Sequence, residues 1–166
     1  GSFPYVRDAR LYIYRAEKDQ IDEVAEFGDG IQVYSYWENK DTFKVNITKP
    51  DSIRTEKIIQ TIYGFDKLGK KTQTSTREFI LTKDGFPKPP NSKLPLYSSN
   101  GNYQLRITEE RNEKSIYLRD QKKRAELLIV EINGEIKNLQ WSPDENYLFL
   151  ILNHSNKNKS AGKSEL

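Results

Sequence analysis

No cysteine and no methionine occur among the 166 residues, and histidine occurs once, at position 154. Without cysteine there is no disulfide, no thiolate nucleophile and no thiolate-held zinc or iron–sulfur centre. One histidine cannot build the commoner zinc sites, and His154, in the polar stretch from Asn153 to Leu166, reads as an exposed tail residue. No apolar run approaches the roughly 18 residues that a membrane-spanning helix needs. Neither sign of charge dominates. The 27 basic and 24 acidic side chains leave a net charge of +3, well short of the basic excess of a dedicated nucleic-acid binder. The missing methionine, with Gly1-Ser2 reading as an expression scar, sets the expectation that the natural start lies upstream. A signal peptide or lipid-anchor segment could have stood there.

The motifs of common chemistries are missing too. There is no Gly-x-Ser-x-Gly nucleophile elbow and no glycine pattern that would cradle a phosphate between a strand and a helix. The acidic pairs Asp22-Glu23 and Glu109-Glu110 lack the alternating oxygen-ligand spacing and the glycine turn of a calcium loop. Other carboxylates are scattered among lysines, as on a solvated surface. The chain is therefore expected to carry no catalytic residues, no cofactor and no metal of its own.

What remains is β chemistry. Hydrophobic residues make up only 35%, but Tyr (10) and Phe (7) are plentiful, and such residues suit a pleated, half-buried surface. One motif appears three times without gaps: WENKDTFKVNI from Trp37, YSSNGNYQLRI from Tyr97 and WSPDENYLFLI from Trp141. Each copy has an aromatic, a polar turn, and a second aromatic six positions on, at Phe43, Tyr103 and Tyr147. Apolar residues then alternate, the period-2 sign of a strand with one buried face. The unit is strand, tight turn, strand.

Spacing carries the architecture. Tyr97 and Trp141 stand 44 residues apart, within the period of about 40–45 expected for a four-stranded propeller blade. Trp37 and Tyr97 stand 60 apart, and the surplus of 16 falls at Pro50–Arg54 and in the proline-rich stretch Asp84–Pro95. Further strands are expected at Arg10–Arg15, Ile31–Trp37, Thr42–Thr48, Lys57–Phe65, Thr72–Leu81, Tyr103–Thr108, Ser115–Asp120, Ala125–Ile132 and Ile136–Trp141. Asn133-Gly134 reads as a hairpin turn. The segment Glu17–Phe27 fits a strand near Ile21–Phe27 or one face of a short helix, and the repeat favours the strand.

The sequence Trp141-Ser142-Pro143-Asp144-Glu145-Asn146-Tyr147-Leu148 resembles the blade signature of TolB-like, WD40-like β-propellers, with Glu145 in place of the usual glycine. The Tyr97 copy has that glycine, Gly101, but Ser99 and Asn100 replace Pro and Asp. The Trp37 copy keeps only the aromatic and the strand pattern. Strand Ile116–Asp120 is similar to the family's third blade strand, which often ends at an Asp before a turn. The resemblance implies a closed propeller, commonly six-bladed, often with a protein-binding role in the bacterial periplasm or cell envelope. Related propellers also cap peptidases of the prolyl-oligopeptidase type.

The expected organisation is a scar and lead over residues 1–8, a propeller-like repeat domain over 9–152 and a polar tail over 153–166. The fold class is all-β, with antiparallel four-stranded blades. Joining the strands at the two ends would give about three blade equivalents, fewer than the four to eight of a closed propeller. A partial propeller, a chain pairing with further blades, or an open array is therefore expected. Trp37 and Trp141 could stack a ligand, but aromatics at one repeated position are better read as packing, and so is Tyr97. Asp144 reads as a turn-capping residue, and Lys122-Lys123-Arg124 as a solvated hairpin tip. The functional expectation is a non-catalytic scaffold that binds a protein partner. Candidate contact residues are Phe86, Lys88 and Lys93 in the long loop, with the turn near Pro50. Two alternatives are an accessory segment of a larger hydrolase and, more weakly, an anion or nucleic-acid binder.

Overall fold

The computed structural model describes residues 6–30, 32–50, 57–80 and 96–154. Within them the chain is all-β and every strand pairing is antiparallel. The strands are β1 (Val6–Arg15), β2 (Gln20–Gly30), β3 (Gln32–Asn39), β4 (Thr42–Pro50), β5 (Lys57–Asp66), β6 (Lys71–Ile80), β7 (Tyr103–Glu110), β8 (Glu113–Asp120), β9 (Ala125–Trp141) and β10 (Tyr147–His154). The ambiguous segment after Arg15 is strand, as the repeat requires.

Two sheets result. One is the meander β3-β4-β5-β6, and the other has the order β2-β1-β10-β9-β8-β7. The second is really two units hinged on β9. Residues 125–133 of β9 pair with β8, while residues 134–141 pair with β10. The rings of Tyr103, at the start of β7, and Trp141, at the end of β9, stack 4.9 Å apart. A straight strand of this length would extend roughly 50 Å at about 3.3 Å per residue. The β9 strand must therefore fold the sheet back on itself.

The chain thus forms three stacked units. The central unit, β2-β1-β10 with the second half of β9, joins the strands at the two ends of the chain. Ala9 lies opposite Asn153 and Arg15 opposite Tyr147. This is the joining of ends that the strand count anticipated. One outer unit is β3–β6. The other is β7, β8 and the first half of β9, with Tyr97 bridged to Gln104 as the stub of a fourth strand. Each is a four-stranded meander stacked face to face, as propeller blades are, and among the described residues the set is open rather than closed.

Strand β10 shows why the units stack. Phe149 and Ile151 point into one core, with Leu11, Ile13, Phe27, Phe43, Val45 and Phe65. Leu148, Leu150 and Leu152 point into the other, with Leu105, Ile116, Leu118, Ile129 and Leu139. Strict alternation with both faces apolar can be buried only between two sheets.

Three boundaries differ from those read from sequence. Val6 and Asp8 are buried within β1 rather than in an N-terminal lead. Asn153 and His154 end β10 rather than begin the tail, and residues 155–166 lie outside the described residues. Asn133-Gly134 is not a hairpin: neither residue has the positive φ of a type I′ turn, and β9 runs through both. Gly134 serves a different need. A Cβ there would overlap the carbonyl of Asn153, so only glycine lets β9 and β10 approach so closely at the fold. The two-residue turn with both φ values positive is Arg111-Asn112, between β7 and β8.

Candidate functional site: a rim of capped turns

In an antiparallel meander the first and third turns fall at the same end. The three units therefore gather six short connections on one rim: 16–19, 39–41, 67–70, 98–102, 121–124 and 142–146. Contacts between them bear this out. Ala16 N donates to Asn146 O, and Gln121 N donates to Asn102 O. Gly69, with φ +90°, lies so close to Ile13 and Val24 that a Cβ would overlap the Ile13 side chain.

The turns are held by their own side chains. Asp66 Oδ1 accepts from Leu68 N and Lys70 N, each at 2.9 Å. Asp120 Oδ1 accepts from Lys122 N at 3.0 Å and Lys123 N at 3.1 Å. Asp144 Oδ1 accepts from Ser142 Oγ at 2.6 Å and Asn146 N at 3.0 Å. Burial pushes the Asp144 carboxyl up, but the Ser142 and Asn146 hydrogen bonds and the charge of Lys67 outweigh it and hold it below the usual range.

The last two repeats share one turn scheme. Ser98 N donates to Tyr103 O, Gly101 N to Ser98 O and Tyr103 N to Ser98 Oγ. Ser142, Glu145 and Tyr147 reproduce those three bonds. Gly101 has φ +74° and Glu145 φ +64°, a conformation that costs a side chain roughly 1–2 kcal/mol. Glu145 is 6% exposed, and its carboxylate crosses to the neighbouring turn. Oε2 accepts from Asn100 N, and Oε1 from the side-chain amides of Asn100 and Asn102, each at 3.0 Å. Burial raises the Glu145 pKa; hydrogen bonds from Ser98, Asn100 and Asn102 more than offset it and leave it below the ordinary value.

The repeated aromatics take unequal places. Trp37 is half-buried against Phe43 at 5.1 Å and Phe149 at 4.9 Å between ring centres. Phe43 is fully buried, Tyr147 packs on the same core, and Trp141 is buried under Tyr103. Tyr97 departs from the expected packing role: it is 57% exposed beside its bridge to Gln104. Lys122, Lys123 and Arg124 are exposed in their turn, and Leu68 stands exposed between Lys67 and Lys70. Phe86, Lys88 and Lys93 lie outside the described residues, as does the turn after Pro50. β6 ends at the opposite end of its sheet from the 67–70 turn, where Ile80 pairs with Lys57.

One constellation was invisible in the sequence. His154 is half-buried at the end of β10, with Nε2 2.9 Å from the hydroxyl of Tyr12. That hydroxyl donates to Glu23 at 3.2 Å, and Glu23 accepts from Arg10 Nη1 at 2.8 Å. Burial, then Glu23, push the Tyr12 phenol up, so it stays a donor. The acidic pair Asp22-Glu23 is thereby engaged by Arg15 and Arg10. Only the pairing of β1 with β10 brings positions 12 and 154 together, and no local spacing signals that.

No family model and no curated relative matches the chain. Among solved structures, the chain is similar to "The beta-propeller domain of the Trilobed protease from Pyrococcus furiosus reveals an open velcro topology" at 18% identity. The match covers 76% of this chain and 35% of that one, so the chain spans about a third of the other's length, with a TM-score of 0.32. A likeness that low carries no weight for the fold, which rests on the strand pairing itself. The class that the pairing defines is an open stack of propeller-like four-stranded units.

Proposed function

We propose that the chain is a non-catalytic scaffold that binds a protein partner through its rim of turns. The observation that supports this reading is the convergence of six short turns on one end of a rigid stack, with exposed Leu68, Lys122, Lys123 and Arg124 presented on capped, cross-linked loops. Rigid sheets that display exposed connections are a common way to build a recognition surface, because little loop entropy is lost on binding. The cationic turn 121–124 favours a partner with acidic groups.

The test compares two charge reversals. Lys122→Glu with Lys123→Glu alters the rim, and Arg111→Glu alters the opposite end. A partner recovered by crosslinking with the unaltered protein, then titrated as a purified species, should bind the rim variant at least about tenfold more weakly and the Arg111 variant equally well. Equal binding by both variants would remove the rim as the site. Single-stranded DNA binding that falls steeply with added salt would instead favour the anion-binding alternative.

A further inference from the structure

Glu145 stands where the matching repeat has Gly101, and both adopt positive φ. The turn closes with glycine, so a side chain at this position is not needed to make it. Glutamate also brings a buried carboxylate into the least accommodating backbone conformation of the turn. Its oxygens then meet donors from the other copy: the Ser98 side chain, the Asn100 backbone, the Asn100 amide and the Asn102 amide. The substitution therefore weakens the local turn and connects it to its neighbour. That neighbour starts the outer unit built on β7, while residues 142–146 belong to the central unit.

We propose that Glu145 is an acid-labile clasp between the last two repeats: its ionised carboxylate holds the 98–102 turn on the 142–146 turn, and protonation frees one from the other. An ionised carboxylate is acceptor-only and can satisfy all these donors at once. A protonated one cannot accept from all of them, and the Ser98 hydroxyl that donates to it already accepts from Tyr103 N, so at least one bond is lost or reversed. The surrounding charges do not supply a substitute. Asp144 is committed to Ser142 and Asn146 and is felt by Lys67. Asp120 and Glu145 both act on Tyr103, and Asp19 accepts from Tyr14. Glu17 and Lys18 are exposed on the adjoining 16–19 turn.

Two neighbouring amides make the test specific. Asn100 N donates to Glu145, whereas Gly101 N donates to Ser98 O within its own turn. Hydrogen-exchange protection of both amides, measured by NMR from neutral pH into the acid range, should separate them. Protection at Asn100 should fall about tenfold or more below the ordinary glutamate range of about 4.3, while Gly101 holds. Glu145→Gln should show the low Asn100 protection already at neutral pH. Glu145→Gly, which installs the residue the other copy uses, should do the same and keeps the test open if the Gln variant does not fold. Unchanged Asn100 protection in Glu145→Gly would overturn the proposal. So would a parallel loss at Asn100 and Gly101, which would mark global unfolding rather than release of a clasp.

Discussion

The two outer units meet the central one by different means. Among the described residues, the β3–β6 unit shares no strand with the central one and is held by side-chain contacts, among them Lys49 Nζ donating to Phe27 O at 3.0 Å. Phe43 packs 4.6 Å from Phe149 between ring centres, Trp37 packs on both, and the side-chain amide of buried Asn138 donates to the carbonyl and hydroxyl oxygens of Ser35. The unit of β7, β8 and the first half of β9 is held by backbone, because β9 is a strand of both. Its core is mainly leucine and isoleucine, with Tyr103 on Trp141 at one end. A covalently continuous strand cannot dissociate from its neighbour without unfolding, whereas a packed face can. The first junction should therefore be the more separable of the two.

Strand β10 allows that difference to be measured with adjacent residues. Phe149→Ala empties the aromatic junction and should cost about 3–5 kcal/mol, and Leu150→Ala empties the aliphatic one and should cost about 2–5 kcal/mol. The costs overlap, but the pattern of loss should not. In Phe149→Ala, hydrogen exchange should rise across residues 57–66 and leave 113–120 protected. In Leu150→Ala, the whole central unit should open with the β7–β9 unit. Equal, uniform losses in both variants would show that the two junctions behave as one.

Gly69 offers a gentler break of the same junction. Its turn belongs to the β3–β6 unit but presses on Ile13 and Val24 of the central one. Gly69→Ala combines positive φ with overlap of a flexible Ile13 side-chain end, so a cost of about 1–3 kcal/mol is expected. Thermal melting would check it. Restored stability in the double variant Gly69→Ala with Ile13→Val would assign part of the cost to the contact rather than to the backbone.

Both junctions contain features of unequal legibility. The alternation of β1, β4, β7 and β10 could be read directly, since the two-residue period exposes which face is apolar. The repeat at Tyr97 and Trp141 was equally plain, because both copies use one Ser-anchored turn. Asn133-Gly134 misled because glycine answers two needs, positive φ and close approach, that look identical in a sequence. Tyr97 misled because the motif fixes the turn, through Ser98 and Gly101, and not the burial of the ring before it. His154 with Tyr12, and Asn138 with Ser35, depend on residues more than a hundred positions apart. Glu145 was visible as a departure from the blade pattern, but its partners in the other turn were not.

Acid should weaken the backbone-linked junction first. The carboxyls of Asp144 and Glu145 both titrate below their ordinary values in the folded chain. A depressed folded value contributes stability that is fully present above the unfolded value, about 3.9 for Asp and 4.3 for Glu, and is lost as pH falls through the folded one. Stability should thus be flat near neutrality and decline below about pH 4. In Glu145→Gly that decline should be shallower; an identical slope would assign the acid sensitivity to other carboxylates.

The smallest expected effect compares the two capped turns at the ends of β5 and β8. Asp66 and Asp120 play one role at matching places, each accepting two backbone N–H bonds from the turn that follows. Replacing either with Ala should cost about 0.5–1.5 kcal/mol. The turns differ in what they touch, however. The Asp66 turn carries Gly69 against the central unit, while the 121–124 turn is exposed and reaches only its own unit, through Gln121 N to Asn102 O and the Gln121 amide to Gln104. Asp66→Ala should therefore loosen the junction as well as its own turn, and Asp120→Ala only its own. Chemical denaturation of both variants in the Gly69→Ala background would show it: sub-additive losses for Asp66 and additive ones for Asp120. Additivity at both would confine Asp66 to its turn and leave the β3–β6 junction resting on contacts such as its aromatic rings, Asn138 and Lys49.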